Sequence, residues 1–316
     1  MMRALSGMVL AAACAASAAA AAPPDDFLAL RAKDARVARI GFELATANAA
    51  FCEDRMAATG LLLHDMEAYG EPAAMRTALK LDTDIAIQAV VPGSPAERAG
   101  FAPDQSLASI DGVAIADLPR DAKKRWFRLE ALRQSIAGRL AASGTIVLAR
   151  ASEAPVTLAG VPACRSRFEV GPLGKRAVAN GDRVVIGDRF PGHDWPDELL
   201  AAVMAHELAH NVLGHREYLD THGRSQQQVR LTEREADRLM PWLLANAGYA
   251  PAAATRFMQT WGPAHSGGLF RKRTHDGWDE RAETIAAETA RVEARIATGL
   301  AADWSTHFAR EALPGL

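Results

Sequence analysis

The residues best equipped for chemistry are His206-Glu207-Leu208-Ala209-His210, followed downstream by Glu233-Arg234-Glu235-Ala236-Asp237. On a helix of 3.6 residues per turn, positions four apart stand about 40° from each other, so His206 and His210 converge on one point with Glu207 beside them. A catalytic zinc needs three protein ligands and a fourth position open to water, and Glu207 is placed to take that water's proton. The chemistry implied is hydrolysis, above all of peptide bonds, with one Zn2+ per chain. The bland alternative is two histidines and a glutamate in solvent on a surface helix. Against it stands the preceding stretch, Asp197 to Ala205, which has acidic residues in its first turn and apolar residues at helical spacing that continue through Leu208, Val212 and Leu213. A helix this apolar is buried, and a bound metal offsets the cost of burying its histidines.

The third ligand is to be found among His215, Glu233 and Glu235. His215 lies nine residues after His206, about 180° around a continuous helix, and so takes a structural or outer place. Thr232 can cap a new helix with Glu235 at its third position, which gives Glu235 a structural task. Glu233 and Asp237 then share a face while Glu235 points about 200° away, which selects Glu233 as ligand. Asp237 is placed to accept the second N–H of a ligating histidine.

These two motifs resemble the zinc metallopeptidase family that includes the CAAX prenyl endopeptidase, HtpX and the periplasmic protease BepA. The strand segment Ala179 to Ile186 and the turn Ala247-Gly248-Tyr249 extend the similarity over roughly residues 165–290. The resemblance implies a mainly helical, zincin-type (gluzincin) domain over 163–316 with a small sheet, and Glu233 as third ligand. It further implies that His275, in Thr274-His275-Asp276, approaches the zinc to stabilise an oxyanion or to occlude the metal, with Arg281 in support. Asp276 stands where the family has proline, and Pro241 where its helix runs on smoothly; the latter predicts a kink or interruption.

Upstream, Val91 to Gly100 reads as a strand end and a short helix with Ser94 as N-cap, Pro95 at N1, Glu97 at N3 and Gly100 as terminator. Ile110-Asp111-Gly112-Val113 reads as a hairpin turn, and strands are expected at Thr145–Arg150 and Pro155–Val161 on either side of Ser152-Glu153-Ala154. Residues 81–162 resemble the PDZ domains of HtrA-type and site-2-type proteases, with Arg125 to Leu140 as groove helix. This implies capture of an extended peptide or free C-terminus by strand addition; a spacer role is the plain alternative. The overall expectation is an α+β chain: a helical segment over 23–80, the PDZ-like unit, then the metallopeptidase domain.

Met1-Met2-Arg3, an apolar stretch and an alanine run ending near Ala22 form a secretory signal peptide over 1–22, predicting a periplasmic or exported protein. A lipoprotein signal acylated at Cys14, with membrane association through the lipid, is the alternative. Without the leader only Cys52 and Cys164 remain, and a cysteine pair in an exported chain predicts a disulfide. The chain has 316 residues, 49% of them hydrophobic, enough for two cores. Its formal charge of -2 and the lack of a basic stripe exclude nucleic acid as partner. Lys123-Lys124-Arg125 and Arg271-Lys272-Arg273 read as solvated edges. Phe27 to Ala68 reads as helical, His215 to Leu231 as a mobile cover or a connector, and Asp279 to Ala302 as a charged amphipathic helix. The expected function is a zinc endopeptidase of cell-envelope quality control, its substrate paired with the edge strand around Arg183 to Ile186. The competing expectation is a PDZ-containing binding or assembly factor whose zinc site is non-catalytic or occluded by His275.

Overall fold

The computed structural model describes residues 22–121, 123–151, 153–265 and 277–313. Met1 to Ala21 of the expected leader, Cys14, the Arg271–Arg273 cluster and Thr274 to Asp276 with His275 lie outside the described residues. The fold is α+β.

Helix α1 (Asp25–Ala47) begins with two aspartates at its dipole-positive end and buries Val37, Ile40 and Leu44 along one stripe. It stops there. The helical reading of Phe27 to Ala68 is therefore corrected beyond Ala47, since β1 (Arg55–Ala58) and β2 (Leu61–Asp65) follow, then α2 (Pro72–Leu79). The strands are made by distant partners that local spacing does not reveal. Gly60, at φ +74°, turns the chain between them.

A β-rich unit continues with β3 (Ile85–Val90), α3 (Pro95–Arg98), β4 (Leu107–Ile110), β5 (Val113–Ala114), α4 (Phe127–Ser143), β6 (Thr145–Arg150) and β7 (Val156–Ala159). β2 pairs with β3, and β5-β4-β6-β7 form an antiparallel sheet. The local expectations hold here. Ser94 Oγ accepts the Glu97 N–H at 3.3 Å, and the Asp111-Gly112 turn has φ of +48° and +79° at its two central residues, as a type I′ hairpin requires. Leu63 of β2 packs with Ile85, Ile87, Leu107, Ile146, Leu148 and Leu158 in one core, so this unit draws a strand from the segment expected to be helical.

The larger core joins α1 to β8 (Val161–Cys164), β9 (Arg167–Gly171), β10 (Ala177–Ala179), β11 (Arg183–Gly187) and α5 (Asp197–Val212), and to the helices after α6 (His215–His222), namely α7 (Gln226–Asn246), α8 (Ala253–His265), α9 (Trp278–Ala297) and α10 (Trp304–His307); α6 itself packs in a small separate cluster. β8 pairs with β1, and beside that ladder Cys52 and Cys164 are disulfide-bonded, 112 residues apart, as expected. In the order β10-β11-β9, β11 is central, antiparallel to β10 and parallel to β9. The expectation that a substrate pairs with Arg183 to Ile186 is thereby corrected, because both edges of that strand are taken. Among the described residues no helix is long and apolar enough to cross a membrane.

Candidate metal centre

Helix α5 is held from both ends. At its start, Asp197 accepts Arg36 Nε at 2.7 Å and also pairs with Arg39, fixing the helix to α1. Near its end, Asn211 Nδ2 donates to Arg183 O of β11 at 3.0 Å and to Ser166 Oγ at 2.9 Å. Leu200 to Ala205, Leu208 and Ala209 are buried, so the helix is enclosed nearly all round, as its apolar sequence requires.

Helix α7 crosses it with a register fixed by Ser225. Ser225 Oγ accepts the Gln228 N–H and the Gln228 side chain accepts the Ser225 N–H, a capping box. The expected cap at Thr232 is corrected: Thr232 lies inside α7, its hydroxyl donating to Val229 O. The span His215 to Leu231 is helical apart from Gly223 to Ser225. Pro241 lies within α7 and does not interrupt it.

The crossing brings His206, His210 and Glu233 together, with one ligand atom from each inside a mutual 4.8 Å. His206 Nε2 and His210 Nε2 are 3.2 Å apart, and Glu233 lies 3.5 Å from each. Ligands at the usual Zn–N length in a tetrahedron stand about 3.3 Å from one another, so the spacing suits such an ion.

The hydrogen-bond pattern around the triad fixes where protons can sit. Glu235, fully buried, accepts Arg310 Nε at 2.6 Å, Arg310 Nη2 at 3.0 Å and the Glu311 N–H at 2.8 Å, and faces His215 Nε2 at 2.9 Å. Burial would raise its carboxyl, but His215 and Arg310 prevail and hold it below the ordinary range. An ionised carboxylate only accepts, so His215 Nε2 bears hydrogen; burial holds this ring neutral, leaving Nδ1 a lone pair. His215 Nδ1 lies 2.9 Å from His210 Nδ1, which must then be the donor, and His210 turns a bare Nε2 to the centre. On the other side, Arg281 grips Asp237 with two bonds of 2.6 and 2.8 Å, and despite burial it holds that carboxyl below its ordinary range. His206 Nδ1 stands 3.1 Å from Asp237 Oδ1, off the line of its N–H, and has no better directed partner. Its Nε2 then also faces the centre. Two imidazole lone pairs 3.2 Å apart beside a carboxylate repel unless a cation or a proton lies among them. The residues therefore fit a divalent ion.

Glu207 extends from the same helix toward β10 and accepts the Ala179 backbone N–H. Burial pushes its carboxyl up to about 7, with His206 opposing and Glu233 adding to the rise. The bonds Asn180 N–H to Arg183 O and Gly187 N–H to Arg176 O, both 2.8 Å, show that alternate residues of β10 face β11. Ala177 and Ala179 thus present their backbone outward, along an edge that no described strand covers.

The structure brings together His206, Glu207, His210, Glu233, Asp237 and Arg281 of the residues selected from sequence. His215 has the outer place expected, for a different reason: α5 ends at Val212, and Gly214, at φ +68°, turns the chain so that the His215 ring returns toward His210. Sequence reasoning missed Arg310, which carries no motif, and gave Glu235 the wrong partner. The chain matches no known family model, and no curated protein matches it either.

Proposed function

We propose that this chain is an exported zinc endopeptidase in which His206, His210 and Glu233 hold the metal and Glu207 handles the proton. The observation that carries the reading is the pair of Nε2 atoms facing each other at 3.2 Å with Glu233 at 3.5 Å from each. When bound, zinc supplies Lewis acidity for attack of water on a carbonyl. Glu207, whose ionised form a dication at the neighbouring histidines favours, would accept a proton and return it to a leaving amine. An extended peptide would lie along the outer edge of β10, its backbone paired with Ala177 and with the Ala179 carbonyl, since the Ala179 N–H is given to Glu207. The β-rich unit, read as PDZ-like, would capture substrate segments in envelope quality control.

The test is zinc per chain in purified protein, wild type beside Glu233→Ala, with proteolysis of an unfolded protein measured for wild type and Glu207→Gln. The expected outcome is about one zinc in wild type, a strong loss in Glu233→Ala, and retained zinc with cleavage reduced about 10²-fold or more in Glu207→Gln. Zinc-free folded wild type would overturn the reading. Full zinc without cleavage of any protein would favour the binding factor over the enzyme.

A further inference from the structure

The C-terminal segment beyond α9 passes over the outer face of the metal site. Trp304, Phe308 and Leu313 are buried along it. Trp304 Nε1 donates to Asn48 Oδ1 at 3.0 Å, tying the segment to the end of α1. Leu313 packs with Tyr218 and Leu219 of α6, the helix that opens with His215. Between these anchors Arg310 reaches inward. It gives two bonds to Glu235 and a third, 3.2 Å, to Leu213 O, a carbonyl at the end of the helix that bears His206 and His210.

From Arg310 the contacts form an unbroken line: Arg310 to Glu235, Glu235 to His215, and His215 to His210. We propose that the C-terminal segment is a positioning strap, in which Arg310, through Glu235 and His215, fixes the ring and tautomer of His210 and so governs how firmly the site holds its metal. The proposal rests on the metal reading above.

The geometry makes Arg310 the critical member. The four donors around Glu235 are shared two to each oxygen, so the carboxylate has one orientation in which all are satisfied. Without Arg310, one oxygen keeps only the Glu311 N–H and the other only His215, and the carboxylate is free to turn about its stem. His215 then loses its fixed acceptor, and nothing compels it to keep Nδ1 bare toward His210. His210 with its hydrogen on Nε2 is not a ligand. Outer hydrogen bonds of this kind typically change metal affinity by about 10- to 100-fold.

The experiment measures zinc release to a chelator from full-length wild type, Arg310→Ala, Arg310→Lys and Gly41→Ala. It is joined to the 15N imidazole shifts of the same proteins without metal. Gly41→Ala is the control for simple destabilisation, because its Cβ would meet Phe168 Cγ at 2.1 Å, away from the line. The strap predicts release about 10- to 100-fold faster in Arg310→Ala, an intermediate rate in Arg310→Lys, which keeps charge without the two-pronged grip, and a wild-type rate in Gly41→Ala. It also predicts His210 Nδ1–H and His215 Nε2–H in wild type, and mixed tautomers in Arg310→Ala. Unchanged release and unchanged tautomers in a folded Arg310→Ala would overturn it, as would equal acceleration in Gly41→Ala. If wild type holds no zinc, the metal reading fails by itself. The tautomers of Arg310→Ala then decide the line alone: mixed ones uphold it and wild-type ones end it.

Discussion

Adding zinc to the metal-stripped protein at pH 6 should release close to two protons per ion from wild type and close to one from Glu207→Gln. The first proton follows from geometry. With Asp237 on one side and His215 on the other, His206 and His210 both turn Nε2 inward, and at 3.2 Å one hydrogen must lie between them when no cation does. It belongs to His206. Burial opposes an imidazolium there, but Asp237 and Glu233 outweigh it and push the group up to about 10. Burial takes His210 down to about 3. The second proton is that of Glu207. With its carboxyl near 7, about nine in ten copies are protonated at pH 6. A dication at the neighbouring histidines favours the ionised form and expels that proton. Calorimetric titration in two buffers of contrasting ionisation enthalpy gives the count directly. No release from either protein would refute the tautomer assignment, and equal counts from both would place Glu207 outside the reach of the metal.

Replacing Asp237 with Asn should weaken zinc binding about 10- to 100-fold in a competition titration while the protein stays folded, since Arg281 then faces an amide and His206 loses its carboxylate. Unchanged affinity would free His206 from any dependence on that carboxylate. Opening the Cys52–Cys164 bridge, as Cys52→Ala with Cys164→Ala, should lower unfolding free energy by about 4–5 kcal/mol, the chain-entropy value for a separation of 112 residues; an unmoved urea midpoint would contradict it. His64 gives a pH signature away from the metal. Burial lowers it from 6.5 to about 4, so its contribution to stability is complete above pH 6.5 and is lost as pH falls toward 4, by about 3 kcal/mol in all. His64→Leu should therefore gain on wild type in urea midpoint between pH 7 and pH 4.5, and parallel curves would exclude His64 as the cause. Gly41→Ala should cost about 1–3 kcal/mol by the same measurement, because its methyl is forced into the Phe168 ring; equal stability would mean that α1 and β9 can part freely.

How much of this was legible from sequence depends on the range of the interaction concerned. The spacing of His206 and His210, and the shared face of Glu233 and Asp237, are properties of single helices and came through intact. So did the Ser94 cap, the Asp111-Gly112 turn and β6, each specified by a few adjacent residues. The readings that failed concern choices between local signals or pairings across the chain. Ser225-Gln-Gln-Gln228 and Thr232-Glu-Arg-Glu235 are both capping patterns, and the burial of Glu235 against His215 and Arg310 decides for the first. The central place of β11 depends on β9 and β10, two short strands whose pairing no local alternation announces. Leu61-Leu62-Leu63 reads equally as helix or strand until β3 is found beside it. Arg310 stands 75 residues beyond Glu235, and no spacing rule connects them.

One helix serves both metal-facing histidines, and it does so from two sides. Glu233 and Asp237 lie on the side of α7 that meets His206, while Glu235, about 200° around, would be useless to a site built on α5 alone. It becomes useful because Gly214 ends α5 and returns His215 to the opposite side of His210. Each carboxylate is then gripped by an arginine from later in the chain, Asp237 by Arg281 of α9 and Glu235 by Arg310 of the strap. A one-residue slip of α7 turns every one of these groups by about 100° and would part both histidines from their carboxylates together. The Ser225 capping box, which sets that register at the first turn, therefore bears on the metal site as directly as the ligands' neighbours do, although it touches none of them.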